Sequence, residues 1–271
     1  MSASARIGTT ATPPANPLHA FWVGPSLSAL AHACLASFVR VGHRVVLHSY
    51  DAVDNVPRDV ESSDANAIVP RHRLFVHIDT GSYSLFSNYF RYQLLARSMG
   101  VYIDCDLICL RAIETTAPYI FGLQDDDEIN GAVLKLPADS PMLRDLSAIF
   151  ERKVFAPPWY SRRTRVRQHV KAWLKRPADL AHAPWGSAGP TAITWYARRH
   201  GLAGLAQPQD VFYPVHWRDV GRLLDPSTSW SDLVTDRTRC VHLWNENLKQ
   251  HPGSDPPKGS PLREFLDGAW P

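Results

Sequence analysis

The beginning of the chain alternates between continuous apolar runs and apolar residues at helical spacing. Residues 18–23 form an apolar run that predicts a buried strand, and residues 44–50 form another. Between them, over residues 26–41, apolar side chains recur at positions i, i+3, i+4 and i+7, which predicts a helix with one buried face that ends at Gly42. The order strand, helix, strand predicts parallel strands joined by a right-handed connection.

The rest of the chain continues this alternation after one polar stretch. Residues 51–64 lack an apolar pattern and predict a loop with a short helix. The further predicted strands are residues 74–78, 101–103, 119–123, 130–133, 210–214 and 240–245, and the further predicted helices are residues 87–99, 140–152, 191–200 and 261–266. This order predicts an α/β fold in which helices flank a mixed, mostly parallel sheet.

Two carboxylates follow the predicted strand at residues 101–103. Asp104 and Asp106 are two positions apart, so in extended chain they point to the same side, about 6 to 7 Å from each other. A second apolar run at residues 107–110 places them at a break in a buried strand. Because like charges repel and burying them without a partner is costly, a divalent cation with oxygen ligands suits the pair. The pair therefore predicts a Mg²⁺ or Mn²⁺ site.

Asn88 and Arg91 are three positions apart on the predicted helix before this strand, so their side chains share a face. An amide and a guanidinium at this place suit a phosphate group or sugar hydroxyls. An alternative interpretation needs no ligand, because Asp104 can cap a turn and Arg91 can form an ion pair with it. A bare Asp-x-Asp motif is short and occurs often by chance.

The whole of residues 87–111 is more specific than its two aspartates. Ser-Asn-x-x-Arg-Tyr, an apolar run and then Gly-Val-Tyr-x-Asp-x-Asp resembles the glycosyltransferase family whose sugar-nucleotide-binding region contains a DXD motif. That family includes α-1,4-galactosyl- and N-acetylglucosaminyltransferases and bacterial capsule and lipopolysaccharide transferases. The resemblance implies a GT-A fold, Mn²⁺ (or Mg²⁺), a UDP-sugar as donor and retention of configuration. The family usually has an aspartate at the position of Asn88, so the donor sugar is left open.

The resemblance also implies roles for side chains along most of the chain. It implies that Asp104, Asp106 and His242 ligate the metal, and that the two aspartates, Arg91 and Asn88 form the catalytic group. The residues that it implies for binding the donor are Trp22, Val23, Asn88, Arg91, Tyr102, Asp104, Gly189, Trp244 and Asn245.

Several of these residues also have interpretations without a ligand. Trp22 at the end of a strand can serve as core packing, and Gly189 before a proline can form a plain turn. A lone histidine such as His242 is more often a satisfied core or surface group than a ligand. By the period of a strand, His242 and Trp244 point to one face.

The charge of the chain is distributed unevenly. The formal net charge is +3, yet residues 152–176 contain nine Lys or Arg and no Asp or Glu, together with aromatic residues. One interpretation is an exposed helix with a solvated face. Nucleic-acid binding would suit the composition, but no nucleic-acid-binding motif accompanies it, so we expect no nucleic-acid partner. The hypothesis we prefer is peripheral contact with an anionic membrane or a lipid-linked acceptor.

The composition fits a globular chain of 271 residues that is 45% hydrophobic and 20% charged. We expect a disordered leader over residues 1–17, one catalytic domain over 18–250 with a basic helical insertion at 152–176, and a C-terminal tail over 251–271. No apolar run is long enough to span a bilayer, and the four cysteines lie in apolar segments. We therefore expect a cytoplasmic protein with free thiols. If the protein contacts a membrane, we expect it to do so at the cytoplasmic face.

The function that these observations favour is metal-dependent transfer of a sugar from a nucleotide-sugar to a saccharide, lipid-linked or protein acceptor. A phosphatase of the haloacid-dehalogenase type also places Asp-x-Asp after an apolar strand, but usually near the N-terminus and with Thr or Val where this chain has Ile108. A glycosidase would use the two aspartates as acid and nucleophile. A sugar-nucleotide-binding protein without turnover is the remaining alternative.

Overall fold

The computed structural model describes residues 16–184, 186–251 and 255–270. Most of the predicted leader, Trp185 and part of the predicted tail (252–254 and 271) lie outside the described residues. The strands are β1 (Leu18–Trp22), β2 (Val45–Ser49), β3 (Val60–Asp64), β4 (Val101–Ile103), β5 (Leu107–Cys109), β6 (Ile120–Leu123), β7 (Ile129–Lys135) and β8 (Cys240–His242). The helices are α1 (Ala29–Arg40), α2 (Ser84–Leu95), α3 (Pro141–Ala148), α4 (Arg162–Trp173), α5 (Pro190–Arg199), α6 (Gln209–Phe212), α7 (Asn245–Gln250) and α8 (Pro261–Leu266).

A six-stranded sheet in the order β3-β2-β1-β4-β7-β6 forms the centre of the fold. β1 is parallel to both β2 and β4, and β2 is parallel to β3, whereas β7 is antiparallel to β4 and β6. Buried side chains lie on both faces of the sheet and pack against the flanking helices. The predicted α/β fold with a mixed, mostly parallel sheet is confirmed.

The opening β1-α1-β2 unit follows local signals in the sequence. The Ser28 hydroxyl accepts a hydrogen bond from the Ala31 backbone N–H and so caps α1. After α1, Gly42 adopts a φ of +92°, a left-handed conformation that glycine adopts without steric cost. The chain then enters β2, which pairs in parallel with β1 along its whole length.

A second, two-stranded sheet joins β5 to β8 and leaves the main sheet just after the two aspartates. In this antiparallel pair Leu107 lies opposite His242, and Cys109 lies opposite Cys240. The sequence predicts β4 and β5 as two parts of one interrupted strand. The structure shows instead that the break sends the second part to a different partner strand near the C-terminus.

Three predicted elements differ from the structure. The predicted loop at 51–64 contains β3, an edge strand in which Val60 is buried and its neighbours are partly or fully exposed, so it shows no continuous apolar run. Residues 74–78 form no strand, because their backbone groups do not pair with a strand: the Ile78 N–H, for example, donates to Ala181 O in a short 3-10 helix. The predicted strand at 210–214 is mostly the short helix α6, since a short buried apolar run fits either element.

Two further expectations concern thiols and membrane spans. All four cysteines are free thiols, and three of them are fully buried. Across the described ranges, the structure contains no helix with both the length and the apolar character that crossing a bilayer requires.

Candidate functional site

The site is built where the chain passes from β4 to β5. The Asp104 backbone N–H donates to Ala132 O of β7 at 2.8 Å, which fixes the end of β4 against its neighbour. The chain then turns through Cys105 to Asp106, whose backbone oxygen accepts the Leu243 N–H at 2.9 Å. The turn is thus held by backbone bonds from both sheets, and it presents two carboxylates just after the carboxyl end of β4.

Asp104, Asp106 and His242 form a cluster in which one ligand atom of each lies within 4.8 Å of the others. His242 Nε2 lies 3.2 Å from Asp106 Oδ1, and the Asn245 backbone N–H donates to Asp106 Oδ2 at 3.0 Å. His242 Nδ1 is buried and has no hydrogen-bond partner among the described residues. The structure therefore brings together the three residues that the resemblance implies as metal ligands.

The donor set of this cluster fits a small divalent cation. Carboxylate oxygens are the ligands that Mg²⁺ and Mn²⁺ prefer, and an imidazole nitrogen is accepted more readily by Mn²⁺. The Asp104 and Asp106 side chains are largely but not fully buried, so part of each remains accessible. Asp104, Asp106 and His242 could therefore hold such an ion.

Arg91 contacts the cluster through Asp104. Its Nη2 donates to Asp104 Oδ1 at 2.7 Å, its residue is only 4% exposed, and its guanidinium carbon lies 4.4 Å from the centre of the Tyr102 ring. This is the ion pair that the sequence offered as the alternative interpretation. Tyr102 is buried next to Arg91, and both side chains have little exposed surface. Their contacts with a donor stay a prediction.

The two carboxyl groups differ in their electrostatic environment. Burial raises the pKa of Asp104, and the neighbouring Asp106 adds to this, although Arg91 works in the opposite direction. Burial also disfavours the charge of Asp106, but His242 and the Asn245 N–H outweigh it and lower the pKa of Asp106. Despite the cost of burial, Asp104 raises the pKa of Arg91, which keeps its charge. Asp106 is therefore the more firmly ionised of the two aspartates.

Asn88 and Gly189 meet where α2 approaches the start of α5. Gly189 is the residue that precedes α5, and a Cβ at its position would lie 3.2 Å from Asn88 Nδ2. On the same side of the site, the hydroxyl of Tyr92 donates to Ala188 O at 2.8 Å. The structure thus brings two of the predicted donor-binding residues into contact with each other.

Trp22 and Val23 lie at the end of β1, next to the turn that carries the aspartates. The thiol of Cys105, between the two aspartates, lies 3.5 Å from the backbone oxygen of Phe21. The Trp22 Nε1–H donates to Ser26 O at 3.1 Å, and both Trp22 and Val23 are half-buried. Trp22 is therefore not a fully enclosed core residue, and part of its indole remains accessible.

Trp244 packs against the ring of His242, but it does not continue strand β8. β8 ends at His242, and Trp244 adopts a left-handed φ of +52°, so the period-two argument does not apply to this pair. The two rings nevertheless lie 4.1 Å apart, and Trp244 Nε1–H donates to Val215 O at 2.8 Å. Asn245 follows and supplies its backbone N–H to Asp106.

A hydrogen-bond network in the acidic segment after β6 was not expected from the sequence. Gln124 donates to Glu128 at 2.7 Å and accepts from Asn130 at 2.6 Å, and Thr191 Oγ1 donates to Glu128 at 3.3 Å. Burial, with Asp125 nearby, raises the pKa of Glu128. Glu128 is therefore bonded by neighbouring side chains, although it ends a run of four acidic residues. In the sequence, the signal that could have indicated this network is Asn130, a polar residue near the start of the apolar strand β7.

Comparison with solved structures finds the PaToxG glycosyltransferase among those similar to this chain. The two share 14% sequence identity with a TM-score of 0.45, and the match covers 69% of each chain. No protein-family model matches the sequence, and no curated protein matches it. We therefore base the functional proposal on the residues of the site.

Proposed function

We propose that this protein is a metal-dependent glycosyltransferase of the GT-A type that moves a sugar from a nucleotide-sugar, in the first place a UDP-sugar, to a saccharide, lipid-linked or protein acceptor. The observation that carries this proposal is the cluster of Asp104, Asp106 and His242. Its histidine comes from a strand 136 residues away from Asp106 and reaches it to 3.2 Å. An isolated acidic turn would not need such a partner.

The chemistry follows from the charges around the cluster. A divalent cation held by Asp104, Asp106 and His242 would supply positive charge that offsets the charge of a departing diphosphate. His242 and the Asn245 N–H lower the pKa of Asp106, so its carboxylate is ionised and able to bind a cation at neutral pH. Arg91 fixes the orientation of Asp104 through a buried ion pair and the stacked Tyr102 ring. The protein thus holds the side chains that would bind the metal in place before any substrate binds.

The remaining parts of the donor are assigned from the positions of the surrounding residues. Trp22, with its accessible indole, offers a stacking surface for the base, and Asn88 next to Gly189 offers polar groups to the sugar. We propose retention of configuration, in which the leaving phosphate accepts the proton of the acceptor hydroxyl. The proposed membrane contact of residues 152–176 is independent of this chemistry. It is argued from the exposed side chains of that segment.

The test is a panel of UDP-, GDP- and dTDP-sugars, each assayed for release of the nucleotide with Mn²⁺, with Mg²⁺ and with a chelator. We expect turnover of at least one UDP-sugar, slow hydrolysis included, only when a divalent cation is present. The variant Asp106→Asn keeps the shape of the side chain and removes its charge, so we expect nucleotide release to fall about a hundredfold or more.

The matched control is Asp219→Asn, which removes a carboxylate from an exposed position outside the cluster. It should keep full activity. Binding of Mn²⁺ itself, followed by electron paramagnetic resonance, separates two failures. If Mn²⁺ binds but no nucleotide-sugar turns over, the protein is a binding protein instead. If Asp106→Asn leaves Mn²⁺ affinity unchanged, the proposed metal site is wrong.

A further inference from the structure

The helix α4 turns its apolar side chains away from the protein. Val166 is 56% exposed, Val170 is 47% exposed and Trp173 is 81% exposed, and no residue of the helix is buried. At the spacing i, i+4 and i+7, these three side chains form one stripe along the outer face. The inner face, which is partly covered by the protein, carries the polar Thr164 and Gln168 instead. This is the reverse of the arrangement that a surface helix normally adopts.

The stripe stands out against the rest of the surface. Seven large apolar side chains are exposed in the described residues, and four of them lie between residues 166 and 174. Leu174, the residue that ends α4, is the fourth and extends the stripe by one position. Contiguous exposed apolar side chains of this kind indicate a surface that is covered by something else.

Cations flank the stripe on both sides. Arg162 and Arg165 lie on one side of it and Arg163 and Arg167 on the other, as the angle of 100° per residue places them, and all four are exposed. No acidic residue occurs between residues 152 and 176. A helix with an apolar stripe between two rows of arginine has the pattern of helices that lie in the interface of a bilayer.

The base of α4 is fixed to the protein, so the stripe has a defined direction. Phe155, which precedes the helix, is buried in the core and its backbone N–H donates to Ala178 O at 2.7 Å. The Ser161 hydroxyl caps the helix by accepting from the Thr164 N–H. The two ends of the segment are thereby held side by side, and the helix projects its outer face away from the core.

We propose that the outer face of α4 docks on an anionic lipid surface, with Val166, Val170, Trp173 and Leu174 entering between the headgroups and the arginines contacting the lipid phosphates. A second copy of the chain fits less well, because two such helices would bring rows of arginine together. RNA would be bound by the arginines, but it gives no reason for two valines in the middle of the stripe.

The experiment is sedimentation of the full chain with vesicles of phosphatidylcholine, with and without phosphatidylglycerol. We expect binding only to the anionic vesicles, weakened by added salt. Val166→Ser combined with Trp173→Ser should lower the partition coefficient roughly tenfold or more. Arg163→Gln combined with Arg167→Gln should lower it roughly twenty-five-fold, since each cation near such a surface contributes about fivefold.

Two controls match these variants. Leu205→Ser removes an exposed apolar side chain outside α4, and Arg58→Gln combined with Lys258→Gln removes two exposed cations elsewhere. All variants change exposed side chains, so folding should be preserved, and circular dichroism checks this. Leu205→Ser should leave vesicle binding unchanged. The double cation control should weaken it only slightly, through the lower net charge of the protein.

Three results would overturn the proposal. The first is equal binding of wild type and both α4 variants to anionic vesicles. The second is binding of an RNA oligonucleotide that the α4 variants abolish, without binding to vesicles. The third is self-association of the chain that Trp173→Ser abolishes, again without vesicle binding. None of these readouts uses a nucleotide-sugar, so the proposed sugar transfer is tested separately.

Discussion

Arg91 carries a buried charge next to the proposed metal site. It is almost fully buried, it pairs with Asp104, and its guanidinium rests on the ring of Tyr102. A buried charge is stable only when it has a partner, so removing either member of the pair leaves the other uncompensated. The Arg91 Nε atom has no hydrogen-bond partner among the described residues, so the ion pair with Asp104 is its main compensation.

We expect Arg91→Met to lower the free energy of unfolding by about 3 kcal/mol, because Asp104 then remains buried without its counter-charge. Urea denaturation at neutral pH measures this. Adding Asp104→Asn to the same chain should restore part of the loss, since the buried charge is gone. The control is Arg44→Met, which breaks an exposed pair with Glu61 and should change stability little. A loss at Arg91 no larger than at Arg44 would contradict the expectation.

Strand β7 packs closely against α2 and α5 beside the proposed metal site. Gly131 in β7 lies where a Cβ would be 2.5 Å from Arg91 Nη1 and 2.6 Å from Ile193 Cδ1. Both distances are too short for any side chain larger than hydrogen. The absence of a side chain at this one position therefore allows the strand, Arg91 and α5 to pack together.

Gly131→Ala should displace the Arg91 guanidinium and with it the orientation of Asp104. We expect a drop in melting temperature together with a weakening of Mn²⁺ affinity by roughly tenfold, as expected when the support of a ligand is disturbed. Calorimetry and a metal titration measure the two effects. Gly204→Ala is the matched control, because nothing lies within 4 Å of a Cβ there. If the two variants bind Mn²⁺ equally well, the close approach does not support the site.

For the molecule as a whole, buried histidines couple stability to pH. Burial lowers the pKa of His43 and of His48 to about 4, from an ordinary value of 6.5. His43 Nε2 accepts the Ile113 N–H at 2.9 Å, which requires the neutral ring. His48 Nε2 lies 2.9 Å from His19 Nδ1, so a charge on both rings would be repulsive. The folded state therefore keeps these rings neutral.

We expect His43 and His48 to leave the free energy of unfolding unchanged above about pH 6.5. As the pH falls from about 6.5 to about 4, their contribution should lower it. In this window the unfolded chain binds protons that the folded chain rejects, which costs on the order of 1 kcal/mol per pH unit for each histidine. Urea denaturation across the window measures the slope. His43→Gln should reduce it, whereas His72→Gln at an exposed position should not.

Features that are encoded within a few neighbouring residues could be predicted from the sequence. The opening strand, helix and strand, the helix stop at Gly42 and the placement of Asp104 and Asp106 after a short strand all follow from local periodicity and local turn chemistry. Edge strand β3 and helix α6 were missed, because their residues carry a weak or ambiguous period and their state depends on which neighbour they contact.

How these features meet depends on long-range contacts that the sequence does not reveal. The contact of His242 with Asp106 depends on the pairing of β5 with β8, and the burial of Arg91 depends on the packing of α2 against β4 and β7. The outward stripe of α4 depends on which face of that helix the core leaves uncovered. Residues far apart in the chain are brought together by burial and strand pairing that involve the whole molecule, so no local pattern encodes them.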